Sequence, residues 1–229
     1  MKTTGGSDEA KRRAGESAAA LVEPGTTVGL GTGSTAAHAI RRLGERVAEG
    51  LDVVGVPTSF DSRQRAREAG IPLRTLDDVD RIDLAIDGAD QVADFELVKG
   101  GGAAHAREKL VDTAAERFVV VVDPSKRADV LSHPVPVEVL PVAHGLVADA
   151  VRDEGGEPSL RRAERKDGPV VTDNGNLVLD CDFGDITAPA TLARTLSGLP
   201  GVVEHGLFVG TADEIHVGTE SGVRVHERE

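Results

Sequence analysis

The chain has 229 residues, 39% of them hydrophobic and only 2% aromatic, which is length enough for one large or two small domains with a proper core. Its net charge of −13 repels nucleic acid and anionic membranes, and no apolar run approaches the roughly 20 residues of a membrane span. The single cysteine, Cys181, excludes an intrachain disulfide and a cysteine-built zinc cluster. The opening MKTTGGSDE lacks the apolar core of a signal peptide, so a cytoplasmic protein is expected. Thr26 to Gly31 (TTVGLG) reads as a strand, and Ala36, Ile40, Leu43 and Val47 follow at helical spacing. Asp52 to Val56 is a second strand, and Ser62 to Ala69 a charged helix ended by Gly70. Ile82 to Ile86 is a strand, Ala103 to Ala115 a helix, and Phe118 to Val122 a fully apolar strand. Strands without a polar face that alternate with helices imply a parallel sheet covered on both sides. A Rossmann-like, doubly wound α/β domain is therefore expected over residues 1–128.

The pattern changes near residue 130. Pro134 to Pro141 is a proline-bracketed strand, His144 to Asp153 a helix, and Ser159 to Arg162 a short strand. Val170 to Asp180 (VVTDNGNLVLD) reads as a hairpin turning at Asn174-Gly175. A helix from Pro189 to Ser197 and a strand around Val202 to Val209 complete a β-α-β-β-α-β order, which predicts a small ferredoxin-like α+β domain over 129–203. Within 204–229, Ile215 to Gly218 and Gly222 to His226 are expected to add strands to the first domain.

Charge usage is uneven, with six lysines against twenty arginines. A lysine-poor, acid-rich surface is expected of a protein adapted to high salt, where screening removes self-repulsion. The same field repels a phosphorylated ligand, so an anion site must be built locally.

Three segments carry that chemistry. Gly29 to Thr35 (GLGTGST) follows a strand and opens a helix, so its backbone N–H groups and the hydroxyls of Thr32, Ser34 and Thr35 can face an anion. It matches neither the dinucleotide fingerprint nor a Walker A loop, and a simple capped turn is the alternative. Asp87 to Asp90 (DGAD) lies at the carboxyl end of a strand, where open sheets bind ligands. Its carboxylates could hold sugar hydroxyls, ligate a cation, or belong to a solvated turn. Lys99 to Lys109 (KGGGAAHAREK) joins a cation and bare amides to the positive end of a helix, a setting for a developing oxyanion. Glu108 can serve that site as a general base or be an exposed helix residue. Lys126 follows a buried strand in VVDPSK, and Lys11 is a phosphate partner or a solvated helix residue. His38, His105, His144 and His205 have no metal spacing, and Cys181 reads as a small buried residue.

Together these blocks resemble the A-type ribose-5-phosphate isomerase family. The resemblance rests on GLGTGST, Pro57 to Ser59 (PTS), DGAD, Lys99 to Ala104 (KGGGAA), Arg107 to Lys109 (REK), Val122 to Lys126 (VDPSK), Pro136 to Val139 (PVEV) and Thr172 to Asn176 (TDNGN), in the family's order and over most of the chain. It implies reversible interconversion of ribose 5-phosphate and ribulose 5-phosphate without metal or organic cofactor. Glu108 would then move the proton between C2 and C1. Lys99 and the amides of Gly100, Gly101 and Gly102 would stabilise the enediolate. Asp87 and Asp90 would bind sugar hydroxyls, with Gly88 and Ala89 beside the substrate. Thr32, Gly33, Ser34 and Thr35 would cradle the phosphate, supported by Lys126 and Lys11. The family also implies a homodimer or homotetramer.

The chain departs from the pattern at Gln91, where an acidic residue often follows DGAD, and at His105 and Ala106, which replace the more usual Leu and polar residue. Other readings are a related sugar-phosphate deaminase or lactonase, which would need a catalytic histidine such as His105, and a non-catalytic sugar-phosphate sensor. The sensors of this kind carry a basic helix-turn-helix segment, for which this acidic chain has no room.

Overall fold

A computed structural model of the chain describes residues 6–228, so residues 1–5 of the stretch read for a signal peptide lie outside it. In chain order the elements are α1 (Asp8–Ala19), β1 (Thr26–Leu30), α2 (Ser34–Ala48), β2 (Val53–Pro57), α3 (Phe60–Glu68), β3 (Leu84–Asp87), β4 (Gln91–Ala93), β5 (Glu96–Val98), α4 (His105–Ala114), β6 (Phe118–Val122), β7 (Val135–Val139), α5 (His144–Asp153), β8 (Glu157–Leu160), β9 (Leu177–Asp182), α6 (Pro189–Ser197), β10 (Val202–His205), β11 (Leu207–Phe208), β12 (Glu214–Gly218) and β13 (Val223–Glu227). Among the described residues the chain divides into two compact units, one of 6–89, 107–127 and 210–228 and the other of 90–106 and 128–209. The segment 90–106, expected in the first domain, groups with the second unit.

The first unit is built on a six-stranded sheet of order β13-β12-β6-β3-β1-β2. Its neighbours are parallel except the β12–β13 edge pair. The inner strands are parallel because they have no polar face to give to water: all of LAID in β3 and all of FVVVV in β6 are buried. β1 pairs with β2 on one side and β3 on the other, so the sheet reverses direction there and opens a crevice at the carboxyl ends of β1 and β3. Ala14, Ala18, Ile40 and Leu43 from α1 and α2 pack with Val28, Leu30, Val119 and Val121 of the sheet. The two helices approach closely because a Cβ on Gly15 would lie 2.8 Å from the Ala39 nitrogen, a distance only glycine permits.

The second unit holds an antiparallel sheet of order β10-β7-β9-β8, connected β7-α5-β8-β9-α6-β10 as in a ferredoxin-like fold. Val147, Val151 and Leu196 of its helices pack on Val135, Val137, Leu179 and Cys181. Burial, then the charge of Asp180, pushes the Cys181 thiol up to about 12, consistent with a small apolar role. A second sheet, β11-β5-β4, includes a hairpin at 91–98 whose three-residue strands carry too little periodicity to read.

Two expectations are corrected. The strand around 202–209 is split at Gly206, where β10 ends its pairing with β7 and β11 begins pairing with β5. A Cβ at Gly206 would lie 2.1 Å from the Lys99 carbonyl oxygen, so the backbone can cross there only as glycine. The 170–180 hairpin is reduced to a turn with a single bridge, Val171 to Leu177, and β9 spends its ladder on β7 and β8. The side chains of Thr172, Asn174 and Asn176 turn instead to the buried Glu138 carboxylate on β7, at 2.9, 3.0 and 2.8 Å from its Oε1. A buried carboxylate needs such donors more than a short ladder needs extending.

Candidate active site

In the first unit, the loop after β1 and the turn after β3 form one hydrogen-bonded cradle. The Asp87 carboxylate is fully buried, and its Oδ1 accepts from the Thr32 amide at 2.9 Å and the Gly88 amide at 2.7 Å. Gly31 is required here, since a Cβ would fall 2.2 Å from the same oxygen. The Thr32 hydroxyl donates to Ser59 Oγ at 2.7 Å and lies 2.9 Å from Thr58 Oγ1. Thr32 is thus a brace, and the PTS block supplies the side chains that brace it.

The loop then enters α2 through Gly33, at φ 114°, with no side chain capping the helix. By contrast, α1 and α3 are capped by Ser7 and Ser59. An uncapped helix start leaves the first-turn N–H groups, from Ser34 and Thr35 onward, available to an anion. Lys11 lies one turn before Gly15 on α1, the face that a Gly15 Cβ would press to 2.9 Å from the Thr35 carbonyl oxygen. Lys126 closes a short 3-10 turn after β6, started by Asp123, whose Oδ1 accepts from the Ser125 amide at 2.8 Å. Glu108 lies in the first turn of α4, because the helix starts at His105 and not at Ala103 as the sequence suggests. It is only 3% exposed, so the solvated reading of this glutamate does not hold.

In the second unit, Lys99 follows β5 and is 2% exposed. Its amide donates to the Gly206 carbonyl at 2.8 Å, and its ammonium stands 5.2 Å from the centre of the Phe208 ring. Beyond it the glycine run turns sharply, with Gly100 at φ 105° and Ala103 at φ 60°. A left-handed alanine costs about 1–2 kcal/mol, which the surrounding contacts must offset. The Gly101 amide donates to Asp90 Oδ2 at 2.7 Å, so this amide, expected to face the enediolate, orders Asp90 instead.

Further side chains support the run. His105 is fully buried, its Nε2 accepts from the Glu138 amide at 3.1 Å, and its Nδ1 lies 2.7 Å from where a Gly100 Cβ would stand. The histidine therefore packs under the glycine run as a wedge, in place of the more usual leucine. Gln91 accepts from the Ser132 and His133 amides, both at 2.7 Å, and donates to Ser132 Oγ at 3.2 Å. A carboxylate there could not donate the last of these bonds. Arg161, which the sequence did not single out, donates to the Gly100 carbonyl at 2.8 Å and pairs with Asp180. The pairing follows from strand register, since β8 and β9 set Ser159 opposite Asp180 and leave Arg161 diagonal to it. No local pattern announces such a register.

Among the described residues no group of three or more His, Cys, Asp or Glu could hold a metal ion. The parts of each unit taken by itself suit anion binding and proton transfer: in the first, an open helix start and a buried glutamate; in the second, a buried lysine before a glycine run.

Comparison with known proteins agrees. The family model described as ribose 5-phosphate isomerase A (phosphoriboisomerase A) matches residues 54–222. The chain is 72% identical over 221 residues to the ribose-5-phosphate isomerase A of Haloarcula marismortui, with 96% of each chain covered. It is 68% identical over 240 residues to that of Halorubrum lacusprofundi, with 100% of each covered. The structure of ribose 5-phosphate isomerase A from Methanocaldococcus jannaschii superposes with a TM-score of 0.93 at 44% identity, covering 96% of this chain and 99% of that one. A D-ribose-5-phosphate isomerase in complex with phospho-erythronic acid superposes with a TM-score of 0.94 at 41% identity, covering 98% and 100%. With the motifs, the fold and these identities in agreement, the chain belongs to the ribose-5-phosphate isomerase A family.

Proposed function

We propose that the protein interconverts D-ribose 5-phosphate and D-ribulose 5-phosphate through an enediolate, with Glu108 as the base. The observation that carries the assignment is Glu108 itself, a carboxylate 3% exposed in the first turn of a helix. Burying a carboxylate is costly, and one held in the first turn of a helix that follows a glycine run is a candidate general base. In the open-chain sugar, Glu108 takes the proton from C2 and the electron pair moves onto the C1 carbonyl oxygen. The proton returns to C1, while the hydroxyl proton of O2 passes to O1, giving the ketose. Lys99 and the amides of Gly100 and Gly102 stabilise the negative oxygen, the Gly101 amide holds Asp90, and Asp87 and Asp90 orient the hydroxyls.

Ser34 and Thr35, with the Gly33 backbone, take the phosphate at the open start of α2, supported by Lys126 and Lys11. A relative bound to phospho-erythronic acid supports a phosphorylated sugar as substrate. The same proposal includes metal independence, a homo-oligomer, a cytoplasmic location and a place in pentose phosphate metabolism. The test is conversion of ribose 5-phosphate by the purified protein in molar salt with chelator present. Formation of ribulose 5-phosphate is expected; no product, with or without added divalent metal, contradicts the proposal.

A further inference from the structure

Arg161 lies outside every motif that the proposed chemistry uses, yet its side chain is only 10% exposed. Its backbone is fixed on both sides, the amide donating to the Val178 carbonyl and the carbonyl accepting from the Val170 amide, both at 2.9 Å. The guanidinium forks onto Asp180, Nε to Oδ2 at 2.9 Å and Nη2 to Oδ1. Burial alone would raise the Asp180 carboxyl, but the Arg161 hydrogen bonds and charge more than reverse this and hold it below the usual carboxylate range. The pair therefore stays charged, and the fork leaves the Nη1 nitrogen, with its two N–H groups, for other acceptors. Nη1 reaches the Gly100 carbonyl at 2.8 Å and stands 3.4 Å from the Gly101 carbonyl.

What this grip does follows from peptide geometry. Gly100, Gly101 and Gly102 have no side chains to fix their orientation, and glycine loses more freedom on ordering than any other residue. In a trans peptide the carbonyl and the following N–H point in opposite directions. Holding the Gly100 oxygen thus aims the Gly101 N–H away from Arg161, where it meets Asp90 Oδ2 at 2.7 Å. Drawing the Gly101 oxygen the same way aims the Gly102 N–H away as well. A cation behind the carbonyls also makes the N–H faces more positive.

We propose that Arg161, held by Asp180, is a positioning residue for the isomerisation: it sets the peptide planes of the glycine run that receives the enediolate charge. It acts through the backbone and does not touch substrate. The inference rests on the isomerase reading, and its test is arranged to separate the two.

The experiment measures kcat and KM for ribose 5-phosphate with the full chain as wild type, Arg161→Lys, Arg161→Ala and Asp180→Asn, with folding followed by circular dichroism. Loss of preorganised donors typically costs about 100-fold in turnover. Arg161→Lys is therefore expected to lower kcat by roughly 10-fold to 100-fold, with KM changed by less than about threefold. Asp180→Asn, which loosens the fork, should fall in the same direction by less. Millimolar methylguanidinium should restore part of the kcat of Arg161→Ala and leave wild type unchanged, an effect a purely structural role does not give. Arg161→Lys keeps the cation and its stem, so a folded Arg161→Lys with reduced kcat carries the inference even where Arg161→Ala does not fold. A folded Arg161→Lys with wild-type kcat, or a loss confined to KM, overturns the inference and leaves the isomerase reading standing. A wild type that does not convert ribose 5-phosphate overturns both.

Discussion

Lys99 is the clearest case of a residue whose type the sequence showed and whose setting it did not. A lysine before three glycines is legible as an anion-binding element, but burial to 2% against Phe208 is a tertiary fact. Lys99→Met keeps the stem and removes the charge. It should lower kcat by about 100-fold while KM moves little, because the charge is needed mainly when the oxyanion forms. Steady-state kinetics in which KM rises and kcat holds would contradict this. Gly31 makes a complementary point about space. Its replacement by alanine would set a Cβ 2.2 Å from Asp87 Oδ1, and Asp87 is what holds the Thr32 and Gly88 amides. Gly31→Ala should therefore cost at least about tenfold in kcat/KM, read in the same assay, with the rest of the fold retained. Hydroxyl counting along GLGTGST could not separate Thr32 from Ser34 and Thr35, since only the fold brings Thr58 and Ser59 against Thr32.

At the scale of elements, β12 and α1 meet through one buried histidine. His216 Nδ1 lies 2.9 Å from Ser17 Oγ on α1, and Nε2 lies 3.2 Å from Glu214 Oε2, while the other oxygen, Oε1, accepts from Arg117 Nε at 2.6 Å. Burial lowers the His216 pKa, the Glu214 hydrogen bond only partly opposes it, and the result is below the ordinary 6.5. The folded chain then binds fewer protons than the unfolded one across that interval, so stability must fall as pH drops from about 6.5 towards the lowered value. Thermal melts between about pH 7 and about pH 5 should show this decline, and His216→Gln should flatten it. An unchanged slope in the variant would contradict the assignment.

The strands of the first unit are legible in the sequence where the pattern is extreme: β6 is a pure apolar run and β1 ends in a glycine loop. The β4–β5 hairpin is not, because three residues cannot display a period; the turn at Asn174-Gly175 is where the sequence puts it, but its ladder is a single bridge, because Asn-Gly marks a turn without saying which strand the flank will pair with. Arg161 was invisible for the same reason, since its partner Asp180 is chosen by the register of β8 on β9.

For the whole molecule, two terms compete as salt rises. Exposed pairs such as Arg12 with Glu9 and Glu16 weaken by screening, while relief of the self-repulsion of a net −13 chain grows as the Debye length shrinks to about 3 Å at 1 M. With 39 acidic residues against 26 basic ones, repulsion is the larger quantity. The melting temperature should rise between about 0.1 M and about 2 M potassium chloride, and equal melts at both would count against salt adaptation. The claim on which the account turns is proton transfer by Glu108, and the direct measurement is conversion of ribose 5-phosphate by wild type and Glu108→Gln, both treated with chelator. The account predicts that the variant binds the sugar phosphate and loses about 100-fold to 10 000-fold in kcat. A folded Glu108→Gln protein that converts ribose 5-phosphate at the wild-type rate would contradict it.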